Sequence, residues 1–134
     1  MIGFWDTSAI LPIIFQEPHT PRALLASRQT VQSYAWRWLR VEAEAALVRR
    51  RGSPQDFGRL RTLLASLSWI DLAPHQYDKL CAFNQRHALR AADAGHLFCF
   101  KQLSVAFPEA RLICFDQDVV SAAQRAGLRL WTPS

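Results

Sequence analysis

Short β-rich segments alternate with longer helical patterns along the whole chain, and this alternation limits the fold more than any other feature. Ile2–Trp5, Thr30–Ser33, Ser68–Leu72, Arg111–Phe115 and Leu128–Trp131 read as strands. The helical stretches between them carry recognisable ends. Thr20-Pro21 places an N-cap residue before a proline at the first helical position, and Ser53-Pro54 repeats the signal. Gly52 and Gly127 stand where helices would stop. Gln76–His87 and Ala91–Leu103 read as two consecutive helices. Such alternation implies a parallel sheet with helices on both faces, so the expected class is α/β. In sheets of this kind, sites form beyond the carboxyl ends of the strands, near a switch in strand order. Acidic residues just after strands are therefore the first candidates.

The 134 residues suit one domain, and with 50% of them hydrophobic there is material for a core without disulfide or structural metal. No repeat, low-complexity tract or linker divides residues 1–134. The start, MIGFWDTSAI, lacks a basic region before a long apolar run, so no secretory signal is expected. The apolar runs near Ala9–Phe15 and Leu97–Phe100 fall short of the roughly 20 residues a membrane span needs. Cys81, Cys99 and Cys114 are odd in number and set among apolar neighbours; they read as buried free thiols of a cytoplasmic protein. The net charge is +5, and arginine supplies 14 of the 16 basic residues. Arginine forks suit phosphate oxygens, which leans toward a polyanionic partner.

Asp6 follows the first strand, in FWDTSAI, and Asp116 follows the fourth, in LICFDQD. Either is explained singly as a helix N-cap, but both would emerge at the same edge of a parallel sheet. Glu42 and Glu44 lie in the helix LRVEAEAALVRR, about 200° apart around its axis, so only one can face a given site. Glu42 shares its face with Trp38, Leu39, Ala45 and Ala46, an inward-looking set; Glu44 has Arg40 one turn away and reads as a solvated ion pair. A carboxylate on an apolar face needs a partner, either a metal ion or hydrogen bonds within the core. Asp93, in LRAADAGHL, lies near a helix start among small residues that leave room for something to approach, with His96 one turn on as a supporting group.

Asp6, Glu42, Asp93 and Asp116 together have a chemical rationale. Hard cations such as Mg²⁺ or Mn²⁺ take carboxylate oxygens. Without a cation the converging charges would repel, and some carboxyls would stay protonated. Bound divalent ions remove that cost and activate water toward a phosphodiester.

FWDTSAI, LRVEAEAAL, LRAADAGHL and ICFDQDVVSAAQRAGLRL resemble, in order and spacing, the signature blocks of PIN-domain ribonucleases, most closely the VapC-type toxins of toxin–antitoxin pairs. The resemblance extends over essentially the whole chain. It implies a PIN-like three-layer α/β/α sandwich with a short parallel sheet, and Mg²⁺- or Mn²⁺-dependent endoribonuclease activity on RNA. It also implies a homodimer and a cognate antitoxin protein. Asp6, Glu42, Asp93 and Asp116 match the four family acids in order, and Ser8 matches a small hydroxyl position supporting the first. Gly95 stands where the family carries a larger apolar residue, Trp5 is bulky for its position, and Asp118 offers an alternative to Asp116.

Arg37, Arg40, Arg49, Arg50 and Arg51 are candidates to track an RNA backbone, or a solvated helix face. Two other readings share these residues. One is a catalytically inactive PIN-like RNA-binding module, supported by the basic charge and five tryptophans, although Trp5, Trp36, Trp38, Trp69 and Trp131 sit where core packing is expected. The other is a phosphatase or DNA nuclease using the same carboxylates.

Overall fold

In the computed structural model, which describes residues 1–133, the strand-helix alternation becomes four parallel strands covered on both faces. β1 (Ile2–Trp5) is followed by α1 (Thr7–Ile14) and α2 (Thr20–Gln29), then β2 (Gln32–Trp36). Next come α3 (Trp38–Arg49), α4 (Pro54–Ala65) and β3 (Ser68–Ile70). The chain continues through α5 (Gln76–His87), α6 (Ala91–Ala106), β4 (Arg111–Ile113) and α7 (Gln117–Arg125).

The strand order is β3-β2-β1-β4, with Phe4 of β1 facing Tyr34 on one side and Leu112 on the other. The chain winds outward from β1 to β3 and then returns to the far side of β1. The carboxyl ends of β1 and β4 therefore flank the point where the winding direction reverses.

Alternating side chains on each strand feed two cores, as the period-2 geometry of a strand requires. Trp5 and Ile113 pack with Ile10, Leu39, Leu47 and Leu60 on the α1–α4 side. Their neighbours Phe4 and Leu112 pack with Phe83, Leu97, Phe100 and Val119 on the α5–α7 side.

Capping fixes where several helices begin. Ser53 and Asp56 form a reciprocal capping box at α4, with Pro54 in the first turn, as that dipeptide predicts. Thr20 departs from its expected role. It is the first residue of α2 rather than its cap, and its buried hydroxyl accepts from the Glu17 N–H and donates to the Pro12 carbonyl, tying α1 to α2.

The expected strand at Thr30–Ser33 lies later, at Gln32–Trp36, because the Thr30 hydroxyl bonds back to the Ala26 carbonyl and closes α2. Strands three and four end two residues earlier than their β-rich runs suggest. Leu128–Trp131 forms no full strand: Leu130 makes a single parallel bridge to Leu112, flanked by two backbone hydrogen bonds. Gly127 terminates α7 with φ +70, the left-handed conformation glycine tolerates best. At the end of α3 it is Arg51, not Gly52, that takes the left-handed turn, with φ 54.

Two further expectations are corrected. Cys99 and Cys114 are buried free thiols, but Cys81 is exposed on α5. Trp5 and Trp131 are core residues, whereas Trp38 is 46% exposed, so core packing does not account for it. No helix among the described residues is long and apolar enough to cross a membrane.

Candidate active site

Asp6 leaves β1 as the N-cap of α1, and its N–H extends the β1–β4 pairing by donating to the Ile113 carbonyl at 3.0 Å. The side chain is only 3% exposed. One oxygen, Oδ2, accepts from the Ser8 N–H at 3.0 Å and from the Ser8 hydroxyl at 2.6 Å. The same hydroxyl accepts from the Phe115 N–H at 3.0 Å, so Ser8 locks the end of β1 to the end of β4. The other oxygen, Asp6 Oδ1, is buried with no hydrogen-bond partner. A buried, unpartnered carboxylate oxygen is costly unless something positive meets it.

Glu42 lies on α3, half-buried, and its Oε1 is held from two directions. Thr7, at the start of α1, donates its hydroxyl at 2.8 Å, and His96 of α6 bonds through Nε2. Burial pushes the Glu42 carboxyl up, but the hydrogen bonds from His96 and Thr7 outweigh it and hold the group below the usual carboxylate range. Burial pushes His96 down, while Glu42 and the charges of Asp6 and Asp93 more than restore it and raise it above an ordinary histidine. Both shifts describe one charged pair.

The supporting role expected of His96 is what the geometry gives it. Thr7 is the partner that sequence reasoning missed; its place beside Asp6 in FWDTSAI was the available signal. Glu42's expected face is only partly inward: Leu39 and Ala46 are buried, but Trp38 and Ala45 are exposed. Glu44 pairs with Arg40 at 3.5 Å, as its spacing predicts.

Asp93 sits in the first turn of α6. Its carboxyl is pushed up to about 6, first by burial and then by the negative charges of Asp6, Asp116 and Glu42, against a smaller opposing effect of His96. Asp116 caps α7, with Oδ1 accepting from the Asp118 and Val119 N–H groups at 2.9 and 3.2 Å. Asp118 is exposed and absent from the charges that raise Asp93, so Asp116 is the member electrostatically coupled to the cluster.

The four sequence-predicted acids thus come from the ends of β1 and β4, the second turn of α3 and the first turn of α6, and the charges of the other three act on Asp93. They do not form a closed cage: among the described residues no group of three acidic, histidine or cysteine side chains stands close enough to hold one ion. Mg²⁺ keeps most of its waters and takes one or two protein carboxylates, so it would not require such a cage. The unpartnered Asp6 Oδ1 and the raised Asp93 are the two features a divalent ion would satisfy.

Three of the five arginines named as backbone-tracking candidates are engaged elsewhere. Arg37 forms a two-bond pair with Asp71 and lies over Trp69, Arg40 pairs with Glu44, and Arg50 pairs with Glu17. A hollow of about 930 Å³ between α1 and α4 is lined by Ile13, Ile14, Arg59 and Leu63 among others and contains none of the four acids.

Comparison with solved structures gives close fold matches. A chain of VapBC2 from Rickettsia felis, bound to a DNA fragment from its promoter, aligns with TM-score 0.66 over 98% of both chains at 16% identity. The fold is PIN-like. A chain of a toxin–antitoxin complex from Klebsiella pneumoniae aligns with TM-score 0.65 at 18% identity, covering 87% of this chain and 88% of that one. A protein of Pyrobaculum aerophilum aligns with TM-score 0.60 at 16% identity over 91% and 79%. No family model and no curated protein matches the sequence. The PIN-like sandwich expected from the motif blocks is therefore the fold observed.

Proposed function

We propose that the protein is the toxin of a toxin–antitoxin pair, a cytoplasmic endoribonuclease that hydrolyses RNA phosphodiester bonds with Mg²⁺ or Mn²⁺. The observation that carries this reading is the meeting of four carboxyls from distant parts of the chain: Asp93 is raised first by its burial and then by the charges of Asp6, Asp116 and Glu42. Asp6 and Asp93 would hold the ion, with Glu42 and Asp116 completing the site directly or through water. When bound, such an ion supplies a water of lowered pKa and charge stabilisation for the phosphorane-like transition state. Ser8 keeps Asp6 Oδ2 occupied and leaves Oδ1 as the oxygen that would bind a cation. Thr7 and His96 keep Glu42 ionised and fixed in orientation.

A cognate antitoxin is the expected partner, since two of the similar structures come from toxin–antitoxin complexes. Homodimerisation is supported by an apolar stripe on α3. Trp38, Val41, Ala45 and Val48 are exposed at helical spacing, and Tyr77 of α5 is exposed as well.

The test is cleavage of a pool of structured RNAs, with DNA as competitor. Asp93→Asn should lower Mg²⁺-dependent cleavage at least about 100-fold, the scale lost when one transition-state-stabilising group is removed. Equal rates in the variant and the parent would rule the site out, and preference for DNA would redirect the substrate assignment. A second reading, an RNA-binding module without hydrolysis, is favoured by the absence of a closed three-ligand group among the described residues. Growth arrest on expression that Asp6→Ala relieves would decide for the enzyme.

A further inference from the structure

Beside Asp93 the surface opens into a polar cleft of about 480 Å³, lined by His87, Arg90, Asp93, Asp118, Ser121 and Arg125. The cleft joins the corner between α5 and α6 to the exposed side of α7. Arg90 and Arg125 are both exposed, and neither makes an ion pair among the described residues, unlike Arg37, Arg40, Arg50 and Arg59. His87 Nδ1 is a buried ring nitrogen with no partner. Burial lowers the proton affinity of His87, and so do the charges of Arg125, Arg86 and Lys101, so positive charge surrounds this lining residue of the cleft.

Arg90 is out of place by local rules. It occupies the N-cap of α6 and makes no capping bond with its side chain. Short acceptors such as Ser, Thr or Asp stabilise that position, and the helix dipole disfavours a cation there. The same dipole accounts for Arg125 in the last turn of α7, so it cannot account for both arginines. The backbone that presents Arg90 is nonetheless fixed. Asn84 donates to the Leu89 carbonyl at 2.8 Å and accepts from the Leu89 N–H at 2.9 Å, and Ala88 is held left-handed at φ 52. A non-glycine residue in that conformation, clamped by a side chain, marks a corner whose shape is maintained at a cost. Locally unfavourable choices held rigid are expected at functional positions.

We infer that this cleft is an RNA phosphate subsite: Arg90 and Arg125 grip the backbone phosphate next to the linkage under attack and so set how the strand lies across Asp93. The inference rests on the endoribonuclease reading. Guanidinium forks recognise phosphate oxygens in pairs, and two of them lining one cleft fit a phosphodiester better than a lone cation would.

The experiment measures binding of a short single-stranded RNA by fluorescence anisotropy over a salt series, without divalent ions so that nothing is cut. The proteins compared are the parent, the R90Q/R125Q double variant, and an R28Q/R61Q double variant that removes the same charge from exposed positions on α2 and α4. R90Q/R125Q is expected to weaken binding about tenfold or more and to lower the log–log salt slope by about 0.7 for each phosphate no longer neutralised, with R28Q/R61Q near the parent. Equal weakening by both pairs would reduce the cleft to part of a general basic field and overturn the inference, as would no binding by the parent. Cleavage with Mg²⁺ separates this result from the underlying reading. A raised KM with kcat retained in R90Q/R125Q supports the subsite, whereas uncut RNA with the parent refutes the nuclease even if the binding difference stands.

Discussion

The Asp93 carboxyl titrates near 6 because it is partly buried and shares its surroundings with Asp6, Asp116 and Glu42. A carboxyl whose folded pKa is raised favours the protonated form, so its contribution to stability is complete below the unfolded value of about 4 and is lost as pH rises through about 6. Solvent screening at a partly exposed group limits that contribution to on the order of 1 kcal/mol. The metal-free protein should therefore melt a few degrees higher at pH 5 than at pH 7.5. Asp93→Asn should flatten most of that difference, and Mg²⁺ or Mn²⁺ at pH 7.5 should raise the melting point of the parent only. Calorimetry across this pH range makes the check, and a parent melting point that rises steadily from pH 5 to 7.5 would contradict the assignment.

At the scale of an element, α6 is shaped by one missing side chain. A Cβ on Gly95 would stand 2.3 Å from Trp36 Cζ3, so the tryptophan ring occupies the space a larger residue would fill. The same ring meets the His96 imidazole edge-on at 5.1 Å between centroids, and so braces the partner of Glu42. The glycine is thus not a loosened point in the helix but the counterpart of a bulky strand residue. Gly95→Ala should cost about 1–3 kcal/mol through overpacking, against the small gain alanine brings to a helix interior. Adding Trp36→Leu should recover much of that stability. A double-mutant cycle by urea unfolding measures the coupling, and additive effects would show that the two positions do not compensate each other.

For the whole molecule, the exposed stripe on α3 begins at Trp38, one turn before Glu42, so a partner covering it would reach the edge of the site. Val41→Asp with Val48→Asp places two charges in the stripe without touching the buried Leu39, Ala43 or Leu47. For the proposed dimer, sedimentation should show the parent as a dimer and this variant as a monomer, with an unchanged melting profile at low concentration. A parent that sediments as a monomer at all concentrations would remove the dimer from the proposal.

The order of elements, the parallel sheet and the placement of Asp6 and Asp116 at strand ends were legible in the sequence because each depends on local pattern. Periodicity separates helix from strand, and Asp6 and Asp116 announce themselves as caps after strands. Gln76–His87 matches its helix residue for residue, since Asp78 near its start and Arg86 at its end obey the dipole. Strand boundaries were less legible. Whether Thr30 continues a strand or closes α2 depends on which backbone group its hydroxyl reaches. Tertiary structure alone decided that Thr7 and His96 share Glu42, that Trp36 fills the space at Gly95, and that Arg90 and Arg125 border the same cleft. Thr7 and Glu42 are 35 positions apart in the chain and Glu42 and His96 are 54, so no local spacing encodes their meeting. Burial and proximity, which set the charge state of Asp93, exist only once the chain has folded.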